Sequence, residues 1–201
     1  MSRLFLVRHG NTELNSAERY WGRSDVKLSA AGIGQAERLR DRLVVEKIDA
    51  VYSSDLERAL VTAEIIASSH QLAVITCAEL CEVNFGQLEG LNFSEISRLY
   101  PEVAKLWAER STKLKYPGGE SLVEFNNRVS KFLSRLDKHA VDETILVVAH
   151  AGVLRTLVCQ LLGIDLRRRW QIRLDLASLS ILETHQQGAI LSLLNDVSHL
   201  T

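Results

Sequence analysis

The amino-acid sequence predicts an α/β fold, with helices packed on a largely parallel central sheet. Three observations carry this. The aliphatic runs Leu4–Val7 and Ile145–Ala149 are too short for helices and read as buried strands. Stretches with apolar residues at helical spacing lie between such runs. The two patterns alternate along the chain, as strand–helix crossovers require.

Taken in order, the first strand is Leu4 to Val7. Ser29 is a predicted N-cap, and Ala36, Leu39 and Leu43 mark the apolar face of the helix behind it. Asp49 to Ser53 is a second short strand. Ser54 and Glu57 form an S-x-x-E capping box, which predicts a helix through Ala59, Ala63, Ile66 and Ala67. Leu72 to Thr76 reads as a third strand. The segment from Cys81 to about Glu120 contains both prolines and is less regular. Short helices are expected near Phe93–Tyr100 and Glu102–Arg110, then a turn at Pro117-Gly118-Gly119. A helix from Ser121 to about Lys138, the strand at Ile145, a helix from Gly152 to Leu162 and a hairpin across "THQQG" complete the chain. No repeat, linker or low-complexity tract divides these elements. One domain over 1–201 is expected, with 81–120 as an elaboration that selects substrate.

Composition narrows the function classes. Hydrophobic residues make up 46% and charged residues 24% of 201, and the formal net charge is -1. Neither a nucleic-acid surface nor an acidic tail is written into that balance. Arg167-Arg168-Arg169 is the one dense basic run and reads as a solvated helix end or a subunit contact. Cys77, Cys81 and Cys159 are odd in number and lack zinc-finger spacing, so they are expected to be buried, unpaired and in a reducing compartment. No apolar run has the length of a membrane span, and the N-terminal run is too short for a signal peptide. The expectation is a cytoplasmic protein without nucleic-acid or membrane partners. A homodimer is compatible with the edge strand that a terminal hairpin leaves.

The chemistry sits at strand ends. "FLVRHG" puts His9 directly after one buried strand, and "VVAHAG" puts His150 in the same relation to another. In parallel α/β sheets, ligands bind outside the carboxyl ends of strands, so both imidazoles are candidates for one pocket. Arg58 falls in a first helical turn, where the macrodipole disfavours a cation by about 0.3–1 kcal/mol. An anion held there would offset this, and pairing with Asp55 or Glu57 is the alternative. Arg8 and Arg58 together match phosphate oxygens. The helix after His150 adds N–H donors from Ala151 and Gly152. No P-loop and no magnesium-spaced carboxylates occur, so neither metal nor cofactor is expected. An acid for the leaving alcohol is still needed. Glu82, among Leu80, Val83 and Phe85, is in an apolar setting that raises a carboxyl pKa, and Glu89 is its rival in the same segment.

The segments "LVRHGNTELN", "LSAAGIGQA", "SSDLERALVTAE", "LCEVNFGQLEG", "PGGES" and "VVAHAGVLR" occur in order from Leu4 to Arg155. Together they resemble the signature segments of the histidine phosphatase superfamily, in its phosphoglycerate-mutase-like branch. The resemblance implies a three-layer α/β/α sandwich with a mixed, mostly parallel sheet. It implies metal-independent hydrolysis of a small phosphate ester through a phosphohistidine on His9. Arg8, Arg58 and a protonated His150 would form the phosphate pocket, and Glu82 the proton donor, with Thr12 and Asn15 lining the site. Asn11 stands where the family commonly has Glu or Gln, and Leu88 where many members carry Trp.

Mutases share this core but need a second cationic grip and a shielded intermediate. No Lys or Arg follows Arg173, which favours a phosphatase. Length and the "FGQLEG…PGGES" pattern are most similar to the branch that acts on α-ribazole 5'-phosphate in cobalamin biosynthesis. Tyr100, Trp107, Lys113, Lys115 and Tyr116 are candidates for contacting the rest of the substrate. A phosphoglycerate mutase, a broad-specificity sugar or amino-acid phosphatase and a non-catalytic phospho-ligand module are the alternatives.

Overall fold

The computed structural model describes residues 2–14 and 19–201. Its six strands are β1 (Ser2–Arg8), β2 (Ala50–Ser53), β3 (Val74–Thr76), β4 (Thr144–Ala149), β5 (Leu179–His185) and β6 (Gly188–Asp196). They form one sheet in the order β3-β2-β4-β1-β5-β6. The pairs β3–β2, β2–β4 and β4–β1 are parallel, while β5 and β6 add on antiparallel. The expected mixed, mostly parallel sheet is the one observed.

Helices cover both faces. On one face lie α1 (Ala30–Leu43) and α2 (Glu57–Ser68); on the other lie α3 (Phe93–Leu99), α4 (Pro101–Ala108), α5 (Leu122–Leu136) and α6 (Ala151–Leu162). Strand periodicity explains the two cores. Phe5 and Val7 of β1 join Leu146 and Val148 of β4 under Leu39 of α1 and Ile66 of α2. Leu4 and Leu6, with Ile145 and Val147, point the opposite way into Phe125, Phe132, Leu154 and Leu157. Alternate residues of each strand therefore feed opposite layers, and each large apolar side chain so buried contributes about 1.5–3 kcal/mol.

Local signals set most helix starts. Ser29 Oγ accepts from Gly32 N–H at the head of α1. Ser121 and Glu124 form a reciprocal capping box at the head of α5. The box expected at Ser54 and Glu57 does not form. Ser54 Oγ accepts from Leu56 N–H, and α2 starts at Glu57. The Glu57 N–H is taken by Asp25 Oδ1 at 2.8 Å, a partner 32 residues away. A long-range carboxylate at the positive end of α2 thus replaces the local cap.

Candidate active site

The β1–β4 register pairs Arg8 with Ala149, so the next residues on the two strands are His9 and His150. The His9 N–H donates to Ala149 O at 3.0 Å across this step. Two imidazoles that are 141 positions apart in sequence are thereby side by side, with ring centroids 5.1 Å apart. They open into a cavity of about 280 Å³ whose lining includes Arg8, Thr12, Arg58, Glu82, Ala151 and Gly152. Every residue that the sequence assigns to the phosphate pocket, together with the candidate acid Glu82, is there except Asn15, which lies outside the described residues; the rival acid Glu89 is not in the lining.

Close backbone packing holds His9. Gly10 follows it, and a Cβ built there would lie 2.6 Å from Gly32 O of α1. Gly10 N–H donates to Thr62 Oγ1 of α2. His9 Nδ1 lies 2.8 Å from Gly10 O. A carbonyl only accepts, so Nδ1 carries the proton and Nε2 keeps its lone pair. Burial first, then Arg58 and Arg8, push the His9 pKa well below the ordinary histidine value. Both causes favour the neutral imidazole.

His150 is 1% exposed, and neither ring nitrogen has a hydrogen-bond partner among the described residues. Burial, Arg58, His9 and Arg8 lower its pKa strongly as well. Burial and the neighbouring arginines favour the neutral imidazole here, while the protonated His150 expected above is that of a site holding phosphate. A phosphate dianion beside it is the charge that would restore the proton.

The arginines are held by carbonyls. Arg8 donates to Leu174 O at 2.7 Å. Arg58 donates to Gly22 O and Ser24 O, each at 2.8 Å. The alternative pairing of Arg58 with Asp55 or Glu57 is not what the structure contains. Burial lowers the pKa of both guanidinium groups, the mark of cations held in a desolvated wall.

The two carboxylates separate cleanly. Glu89 accepts from the N–H groups of Gly22, Arg23, Ser24 and Phe85 and from Ser24 Oγ. It ties down the loop whose carbonyls orient Arg58. Glu82 instead lines the cavity, accepting from Val83 N–H and from Gly152 N–H at 3.0 Å. The Gly152 donor expected to face a phosphate is therefore engaged by Glu82. The backbone around Glu82 is held in turn by Arg128 of α5, which reaches Glu79 O, Cys81 O, Glu82 O and Glu120.

Of the expected selectivity residues, Trp107 and Tyr116 line the cavity beside Tyr20 and Phe85. Trp107 and Tyr116 pack edge to face at 5.3 Å, and burial pushes the Tyr116 phenol up. Tyr100, Lys113 and Lys115 are outside the lining, and both lysines are exposed. The basic run is not uniform. Arg167 pairs with exposed Asp165, whereas Arg169 is 6% exposed and lines the cavity with Arg155. Neither arginine was singled out as a site residue from sequence. The last residue of "VVAHAGVLR" was the signal for Arg155, since it lies on the helix that starts at the site.

A buried imidazole with its Nε2 lone pair free, a second imidazole and two arginines are parts that suit a phosphoryl-transfer centre. The family model of the histidine phosphatase superfamily (branch 1) matches residues 4–197. The chain belongs to that superfamily. It is 37% identical over 200 residues to phosphoserine phosphatase 1 of Hydrogenobacter thermophilus, covering 100% of this chain and 95% of that one. It is 35% identical over 193 residues to the adenosylcobalamin/α-ribazole phosphatase of Escherichia coli, covering 96% and 95%. The crystal structure of the α-ribazole phosphatase from Shigella flexneri superposes with a TM-score of 0.89 at 34% identity, over 96% of each chain. This histidine phosphatase therefore has the expected fold and the expected enzyme class.

Proposed function

We propose that the chain hydrolyses small phosphomonoesters by transferring the phosphoryl group to His9 Nε2 and then to water. The observation that carries this is the Nδ1 contact of His9 with Gly10 O, which leaves Nε2 as the basic nitrogen. In the first step an Nε2–P bond forms and the P–O ester bond breaks. Glu82 gives its proton to the departing alkoxide oxygen. In the second step a water oxygen bonds to phosphorus, the N–P bond breaks and the Glu82 carboxylate takes the water proton. Arg8, Arg58 and His150 hold the non-bridging oxygens and offset their charge as it redistributes. All these parts come from side chains, so the reaction as proposed needs no metal ion or cofactor.

The proposal includes the cytoplasm as the working compartment, supported by three buried free cysteines. Segment 81–120 is its selecting element, through Phe85, Trp107 and Tyr116. α-Ribazole 5'-phosphate and phosphoserine are the candidate substrates, each supported by relatives that carry its name. The aromatic side chains would suit the flat base of the first.

The test is phosphate release from p-nitrophenyl phosphate, phosphoserine and α-ribazole 5'-phosphate in excess EDTA. Turnover is expected to persist in EDTA and to vanish in His9→Ala. Undiminished turnover in His9→Ala, or a strict demand for a divalent metal, would overturn the reading.

A further inference from the structure

We propose that Arg155 and Arg169 form a second anion subsite in the catalytic cavity, receiving a carboxylate on the alcohol part of the phosphomonoester. The inference rests on the hydrolase reading above and names the substrate class within it.

Two cations stand in the pocket wall without an ion-pair partner among the described residues. Arg155 projects from α6, one turn beyond the site-facing residues Ala151 and Gly152, and Arg169 from the 3₁₀ turn Leu166–Gln171. Each is anchored by one donor to a backbone carbonyl, Arg155 Nε to Ile172 O at 2.8 Å and Arg169 Nη1 to Leu166 O at 3.1 Å. The Trp170 ring lies beside both, with guanidinium carbons 5.8 and 5.1 Å from its centroid. Neither arginine forms an ion pair among the described residues. The acidic groups that act on Arg155 are Glu82, which accepts from Val83 and Gly152, and Asp175, which pairs with Arg173 and Asn195. Among the described residues Glu82 is also the carboxylate that acts on Arg169, beside the Tyr116 phenol and the Cys159 thiol, which carry no charge while protonated.

A desolvated cation without a counter-charge is costly, and an anionic ligand removes the cost. Arg8 and Arg58 already serve the phosphoryl group. Arg8 and Arg155 are anchored two residues apart on one segment, at Leu174 and Ile172, so the cationic wall extends from the phosphoryl site toward Arg169. In a cavity of about 280 Å³ the second anion has to be small. A carboxylate meets that limit and matches the planar fork of a guanidinium. A neutral alcohol such as a nucleoside leaves both arginines unpaired.

The test compares esters that differ only in the carboxylate, 3-phosphoglycerate against glycerol 3-phosphate, with p-nitrophenyl phosphate as a reporter of the reaction centre. The wild-type enzyme is expected to favour 3-phosphoglycerate by tenfold or more in kcat/KM. Arg155→Gln and Arg169→Gln should shrink that ratio toward one, chiefly through KM of the acid ester, and Arg155→Lys should restore part of it. If the wild type hydrolyses p-nitrophenyl phosphate but does not prefer the acid ester, the subsite is overturned and the hydrolase reading stands. Equal fractional losses on both esters in the variants also overturn it. No turnover of any of the three compounds overturns the hydrolase reading, and the subsite with it. The wild-type comparison decides even where a variant does not fold.

Discussion

The Gly152 N–H donates to Glu82 Oε2 at 3.0 Å, and a Cβ on Gly152 would lie 2.4 Å from Glu82 Oε1. The first residues of α6 thus fix the proposed proton donor by a contact that only glycine permits. Gly152→Ala must push the carboxylate away. Its kcat on alkyl phosphates is expected to fall about 10²-fold, the low end of what a positioned acid contributes. Aryl phosphates, whose leaving oxygen needs less protonation, should lose less. Steady-state rates on one ester of each kind check this; unchanged alkyl turnover would remove Glu82 from the mechanism.

Glu82→Gln and Glu89→Gln should behave differently although the residues are seven apart. Glu82→Gln removes the proton and should penalise alkyl esters selectively. Glu89→Gln puts an amide where five donors converge, which costs about 1–3 kcal/mol of stability. By loosening the Gly22 and Ser24 carbonyls it should also weaken the Arg58 grip, raising KM for alkyl and aryl esters alike. Equal leaving-group dependence in the two variants would reverse the assignment of acid and tether.

The depressed pKa values of His9 and His150 set the acid side of two profiles. His9, the proposed nucleophile, stays neutral below the ordinary histidine value, so loss of its basicity should not limit kcat/KM until pH is well under 6.5. The substrate's own second ionisation near pH 6 should dominate above that. For stability the sign is fixed by proton uptake. Below pH 6.5 the unfolded chain protonates these histidines and the folded chain does not, so stability falls as pH falls. The slope is up to about 1.4 kcal/mol per pH unit for each histidine. Urea unfolding at several pH values should show a shallower acid slope in His150→Asn; an identical slope would mean that His150 is not held neutral.

Arg128→Met should test the support of the Glu82 segment. Arg128 and Glu120 are 2.7 Å apart and largely buried, and Arg128 also holds three carbonyls between Glu79 and Glu82. Removing it is expected to cost about 3 kcal/mol and to lower kcat on alkyl esters more than on aryl esters. A loss of stability without that kinetic asymmetry would make Arg128 a scaffold residue only.

What the sequence by itself determined were the features that local physics writes within a few residues. The buried strands at Leu4–Val7 and Ile145–Ala149, the cap at Ser29, the helix that follows Ser121, and the two strand-end histidines were all legible, because periodicity and capping act over one or two turns. The tertiary structure decided the contacts between distant segments. Asp25 rather than a local box caps the Glu57 end of α2, and Gly22 and Ser24 rather than Asp55 or Glu57 hold Arg58. Glu82 and Glu89 share one segment and one residue type; only the direction each side chain takes parts them, into the cavity or onto the loop. Arg169 looked like its exposed neighbours Arg167 and Arg168 until the 3₁₀ turn aimed it into the cavity. Side-chain chemistry is a property of the sequence, but a charge acts through what lies within a few ångströms, and that neighbourhood exists only once the chain has folded.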